Sequence, residues 1–120
     1  MPSTRYQKIN AHHYRHIWVV GDIHGEYQLL QSRLHQLSFF PKIDLLISVG
    51  DNIDRGPESL DVLRLLNQPW FTSVKGNHEA MALEAFETGD GNMWLASGGD
   101  WFFDLNDSEQ QEAIDLLLKF

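Results

Sequence analysis

Three short stretches of this chain carry residues whose types and spacing suit metal-assisted acid–base chemistry. In GDIHG (21–25), Asp22 and His24 stand two apart, so in an extended segment both point to one side. Gly21 and Gly25 let the backbone approach a ligand closely, and a carboxylate beside an imidazole suits a divalent cation. GDNIDRG (50–56) adds the carboxylates Asp51 and Asp54, then Arg55, whose planar fork matches a phosphate or a carboxylate bidentately. GNHE (76–79) adds Asn77, a neutral oxygen ligand, and His78, a proton donor near physiological pH. Asp22, Asp51 and Asp54 gathered in one place would repel one another unless cations lay between them, so the set asks for metal.

Something must gather these loops. The runs HIWVV (16–20), LLISV (45–49) and FTSV (71–74) read as buried strands, each reaching a glycine within two residues. Between them, Leu29, Leu30, Leu34 and Leu37, then Leu60, Leu63 and Leu66, recur at helical spacing, with Pro57 expected in the first turn of the second helix. The order β-α-β-α-β predicts an α/β fold with right-handed crossovers and a parallel sheet. Ligands of such sheets bind beyond the carboxyl ends of the strands, where all three loops fall.

Further on, HEAMALEAFETG predicts a helix stopped by Gly89. DGNMWLASGGDWFFDLN is aromatic and broken by glycines, and SEQQEAIDLLLKF predicts a last helix with Ser108 as N-cap. That helix ends in mid-pattern at Phe120, so residues 1–120 are expected to form a single domain that is cut short. Trp18, Trp70, Trp94 and Trp101 are expected in the core, with lining of the cleft as the alternative for Trp94 and Trp101. HHYRH (12–16) reads as a polar strand edge and His35 as a surface residue.

Each loop alone has a plain reading: GD is a common turn, NHE a common helix start, and an arginine usually makes a surface ion pair. Their conjunction at successive strand ends is what points to function. GDIHG, GDNIDRG and GNHE, in order at 21, 50 and 76, resemble the phosphoprotein phosphatase family of metallophosphatases, whose signature is GDxHG, GDxxDRG and GNHE. The resemblance implies a two-sheet αββα metallophosphatase fold, of which this chain holds the N-terminal half. It implies Asp22 and His24 as ligands of one metal, Asp51 as the carboxylate bridging two, and Asn77 as a ligand of the second that also meets the substrate phosphate. It further implies Arg55 as a phosphate-binding residue, His78 as catalytic general acid oriented by Asp54, and Glu79 as a support behind the metal ligands. The implied cofactors are two divalent ions, Mn²⁺ foremost, activating a hydroxide that hydrolyses phosphoserine or phosphothreonine proteins, with phosphotyrosine left open.

The chain departs from the family in two places. Lys75 stands where many relatives carry arginine, keeping charge but losing the bidentate fork. No histidine follows His78, although the family takes two later histidines for its second metal, so that site is expected to be impaired. The missing half-core leaves leucine and isoleucine faces expected to be exposed or recruited into self-association.

Composition narrows the alternatives. The net charge is −8, and Lys119 is the only basic residue after Lys75 while ten acids follow, which disfavours nucleic acid and anionic membrane as partners. With no cysteine, thiol nucleophiles, thiolate zinc sites and disulfides are excluded. No apolar run approaches a bilayer span, and a cytoplasmic location is expected. Two other functions compete with the phosphatase: a diadenosine tetraphosphate hydrolase, disfavoured by Asp54, and a non-catalytic fragment or self-associating module binding at most one metal.

Overall fold

The computed structural model describes residues 8–120. Strands β1 (His16–Val20), β2 (Asp44–Ser48) and β3 (Phe71–Ser73) form one parallel sheet in the order β1-β2-β3. The helices are α1 (Tyr27–Gln36), α2 (Ser59–Arg64), α3 (Asn77–Thr88), α4 (Asn92–Ala96) and α5 (Asp107–Leu117), with one-turn 3-10 segments at Ala11–His13, Leu65–Asn67 and a longer one at Gly99–Asp104. This is the α/β arrangement the apolar runs predict, and it is compatible with the N-terminal half of a metallophosphatase. Among the described residues no helix is long and apolar enough to cross a membrane.

Register does the positioning. Val20 pairs with Ser48, and Ser48 with Ser73, so all three strands end level. The next residues continue the ladder, Val49 N–H donating to Val20 and Val74 N–H to Ser48 at 2.9 and 3.1 Å. Level ends release the three loops at one edge of the sheet.

Alternation splits the sheet into two faces. Trp18 and Val20 of β1, Leu46 of β2 and Phe71 of β3 pack with Ile23, Leu30 and Leu34 in one core. A second core gathers Ile53 of the second loop with Leu60, Leu63, Ala82, Trp94, Trp101, Phe102, Leu116 and Leu117 from α2 onward. Helix α2 serves both, giving Val62 to the first and Leu60 and Leu63 to the second. On the opposite sheet face Val19, Val49 and Val74 are more than half exposed and Ile17 is 37% exposed.

Three expectations are corrected. Pro57 lies ahead of α2, whose first residue is Ser59: the entry is set by Glu58 N–H donating to Gly25 (2.9 Å) and by Ser59 Oγ accepting from Asp54 N–H (3.0 Å). The N-cap of α5 is Asn106, not Ser108, because Asn106 and Glu109 satisfy each other's backbone N–H groups reciprocally. His12 and His13 form a 3-10 turn, and only His16 of HHYRH stands on the edge strand. His35 is exposed, as expected.

Candidate metal centre and phosphate cleft

The site loops are held in unusual backbone conformations. Asp22, His24, Asp51, Asp54 and Arg55 all have φ between 45° and 77°, and among the described non-glycine residues only Ser38 joins them. Each such residue costs roughly 1 kcal/mol or more unless its surroundings over-determine it. Here they do. His24 N–H donates to Asp51 O (3.1 Å), Gly25 N–H to Asn52 O (2.8 Å) and Arg55 N–H to Gly98 O (3.1 Å). The first two loops touch so closely that a Cβ on Gly56 would lie 2.1 Å from the His24 carbonyl oxygen.

Glu79 locks the second loop to the third. It is fully buried, and its Oε1 accepts from Asp51 N–H and Gly76 N–H (both 2.8 Å) while Oε2 accepts from Asn52 N–H (2.7 Å). Asn52 in turn reaches Ser48 and Ser73 at the ends of β2 and β3.

The loops bring Asp22, His24 and Asp51 together, with ligand atoms within 4.8 Å of one another. Asp22 is exposed and the other two are half-buried. His24 Nδ1 lies 2.9 Å from the Ile53 carbonyl, which can only accept, so this nitrogen carries the proton and Nε2 keeps its lone pair. That second contact is what orients a metal-binding imidazole. Two carboxylates and one neutral imidazole fit a divalent cation without discriminating strongly among Mn²⁺, Fe²⁺ and Zn²⁺. Asn77 opens α3, exposed; the next residue, His78, donates its backbone N–H to Asp51 Oδ1 at 2.9 Å.

Asp54 stands apart from that group. Its carboxylate is wholly buried, with Oδ2 2.8 Å from His78 Nδ1. The His78 ring meets the His24 ring edge-on at 4.8 Å, so the imidazole–carboxylate pair adjoins the metal-ligand group directly. Trp94 Nε1–H donates to both Asp54 oxygens (3.0 and 2.9 Å) and Trp101 Nε1–H to Oδ1 (2.7 Å). Both tryptophans are buried, in agreement with the core expectation rather than the cleft-lining alternative. Their role as donors has no local signature, because they lie 40 and 47 residues from Asp54. The one available signal was general: a buried indole N–H seeks an acceptor, and a buried carboxylate seeks donors.

A cleft beside the metal-ligand group is lined by Asp22, His24, Leu29, Arg33, Arg55 and Gly56, among others. Of the described arginines, Arg15 pairs with Asp44 and Arg64 with Asp61 and Glu112. Arg33 and Arg55 form no ion pair among the described residues, and both line this cleft. Arg55 was expected there; Arg33, on α1, was not.

Similarity to known proteins agrees with this geometry. The family model described as calcineurin-like phosphoesterase matches residues 15–118. The chain is 63% identical over 120 residues to serine/threonine-protein phosphatase 2 of Salmonella typhimurium strain LT2, covering all of this chain and 55% of that protein. It is 51% identical over 118 residues to serine/threonine-protein phosphatase 1 of the same strain, covering 97% of this chain and again 55% of the relative. The chain thus spans about half the length of these relatives. A symmetrical bis(5'-nucleosyl)-tetraphosphatase of Erwinia tasmaniensis is 42% identical over 71 residues, 58% of this chain and 26% of that one. A crystal structure assigned as a diadenosine tetraphosphatase superposes with a TM-score of 0.61 at 31% identity, over 82% of this chain and 41% of that chain. With the family model covering nearly every described residue, the chain belongs to the calcineurin-like phosphoesterase family.

Proposed function

We propose that the chain is the part of a serine/threonine protein phosphatase that carries its first metal site, its phosphate-binding arginine and its proton donor. The observation that carries this reading is the Asp54–His78 pair at 2.8 Å, set edge-on against His24 of the metal-ligand group. Relatives named as protein phosphatases match along the whole chain, whereas the tetraphosphatase matches over 58% of it.

In this proposal Asp22, His24 and Asp51 hold a divalent cation, with Asn77 and Asp51 offered to a second; Mn²⁺ is the ion we assign. When bound, such cations supply Lewis acidity to the phosphoryl group and its attacking water. The chain's own residues do the rest. Arg55 grips the phosphoryl oxygens bidentately, and Arg33 adds positive charge at the α1 side of the cleft. Asp54 accepts a hydrogen bond from His78 Nδ1–H, so the proton given to the departing serine or threonine oxygen is the one the imidazolium form carries on Nε2, and the neutral Nδ1–H ring is left behind. No side chain takes the phosphoryl group covalently in this scheme.

The test is release of phosphate from a phosphoserine peptide and from diadenosine tetraphosphate with added Mn²⁺. Phosphopeptide hydrolysis in preference to the dinucleotide, falling about 10²- to 10⁴-fold in His78→Ala, is the expected result. Preference for the dinucleotide would replace this reading with the tetraphosphatase one. The exposed sheet face around Val19 and Val74 favours a second reading, a self-associating module without turnover, which predicts no phosphate release and a solution mass above 13.9 kDa.

A further inference from the structure

The stretch WLASGGDW (94–101) supplies no metal ligand and no phosphate contact, yet both of its indoles end on Asp54. Packing alone does not require this. The Trp94 and Trp101 rings meet edge-to-face at 6.1 Å and 88°, and Trp94 also packs on Phe86 and Phe102. Trp18 shows that a buried indole N–H here is also found without a hydrogen-bond partner among the described residues. Two indoles converging on one carboxylate is therefore a specific feature of this place.

The glycines between them make the convergence geometrically feasible. Gly98 has φ 102°, and its carbonyl accepts from Arg55 N–H at 3.1 Å, fixing the backbone beside Asp54. A Cβ on Gly99 would fall 2.6 Å from the Trp94 ring, so the indole lies flat against that residue. Segment 94–101 thus grips residues 54 and 55 by backbone and by side chain together.

The chemistry of the grip is selective. Indole N–H donates and never accepts, so the Oδ1 side of Asp54 must be an acceptor. With Trp101 on Oδ1 and Trp94 across both oxygens, Oδ2 is left to accept from His78 Nδ1 at 2.8 Å. A buried carboxylate usually needs a cation or several donors. Here two indoles and the His78 imidazole supply the donors, and the neighbouring Arg55 guanidinium, in no ion pair among the described residues, lines the cleft.

We propose that Trp94 and Trp101 are positioning residues, whose two Nε1–H groups orient the Asp54 carboxylate so that its Oδ2 is presented to His78 Nδ1 and holds the imidazole ring in place. The inference rests on the reading of His78 as proton donor. It acts through Asp54 and touches neither substrate nor metal.

The experiment is ¹⁵N and ¹H spectroscopy of the imidazole and indole groups in the chain without metal, wild type beside three variants. Asp54→Asn is the first, and the others replace Trp94 or Trp101 singly by 3-benzothienylalanine, which keeps the ring and exchanges N–H for sulfur. In Asp54→Asn the Trp94 and Trp101 indole protons should move upfield while those of Trp18 and Trp70 stay in place. In either analogue variant the His78 Nδ1 proton should exchange with solvent about tenfold faster, the loss of one hydrogen bond. Indole protons indifferent to Asp54→Asn, or an Nδ1–H signal unchanged in both analogue variants, would overturn the proposal. A chain that prefers diadenosine tetraphosphate yet still shows the expected signature would sink the phosphatase reading and leave the tryptophan assignment standing.

Discussion

Glu79 shows how one residue carries a site without touching its ligand. Both of its oxygens are committed to backbone N–H groups of the second and third loops, so Glu79→Gln turns one acceptor into a donor facing a donor. We expect a loss of about 2 kcal/mol in urea unfolding with an unchanged denaturant slope, because a buried N–H is left unsatisfied. Arg55→Lys keeps the charge but removes the fork, and should weaken inorganic phosphate binding several-fold while leaving unfolding unaltered. At this scale the meeting of Asp22, His24 and Asp51 was legible in the sequence, since turn chemistry alone rarely sets ligand-type residues between glycines at three successive strand ends, whereas the pairing of His78 with Asp54 came only from the family resemblance, residue types alone having grouped Asp54 with Asp22 and Asp51. The donors behind them were not. Trp94, Trp101 and Arg33 reach the site from elements far from the loops they serve, and no spacing rule connects position 54 to 94 or 101.

At the scale of elements, strand and helix order followed from the apolar runs, while helix starts went astray where two signals competed. Ser108 and Asn106 are both good caps, and Glu109 decides between them by lying three residues after Asn106. Asn106→Ala should cost about 1 kcal/mol in thermal or urea unfolding, and Ser108→Ala much less. The entry to β2 carries a second testable tie. Asp44 is buried and accepts from Arg15 Nη2 at 2.7 Å, from Phe40 N–H at 2.8 Å and from His16 N–H at 3.1 Å. The Arg15 guanidinium, helped by those backbone groups, holds its carboxyl down at about 2. An unfolded aspartate titrates near 3.9, so between these values the unfolded chain binds more protons. The stabilisation is therefore fully present above about pH 5 and is lost as pH falls through about 2. In Arg15→Ala the urea midpoint should vary less with pH across that window, and a curve parallel to wild type would contradict the assignment.

The whole molecule is one core packed on a small sheet and a second built among the helices, with a cleft at the carboxyl ends of the strands and a largely exposed sheet face behind. That face was foreseeable only from the family resemblance, because the strands themselves read as buried on both sides. Of the leucines and isoleucines expected to be exposed there, Ile17 is, whereas Leu45 beside it is buried, and the other exposed residues on this face are Val19, Val49 and Val74. Val19→Lys on this face should leave the fold intact, since the residue is 65% exposed, and should lower the solution mass if copies of the chain associate there. The cleft is a simpler object: strands of equal register deliver three strained loops to one edge, and Asp22, His24 and Asp51 meet there. Calorimetric titration of Mn²⁺ into the chain, beside Asp51→Asn, tests that meeting most directly. Saturable binding that Asp51→Asn abolishes while the variant unfolds as wild type does is the predicted result. Absence of binding, or binding indifferent to Asp51, would contradict the metal centre on which the functional account stands.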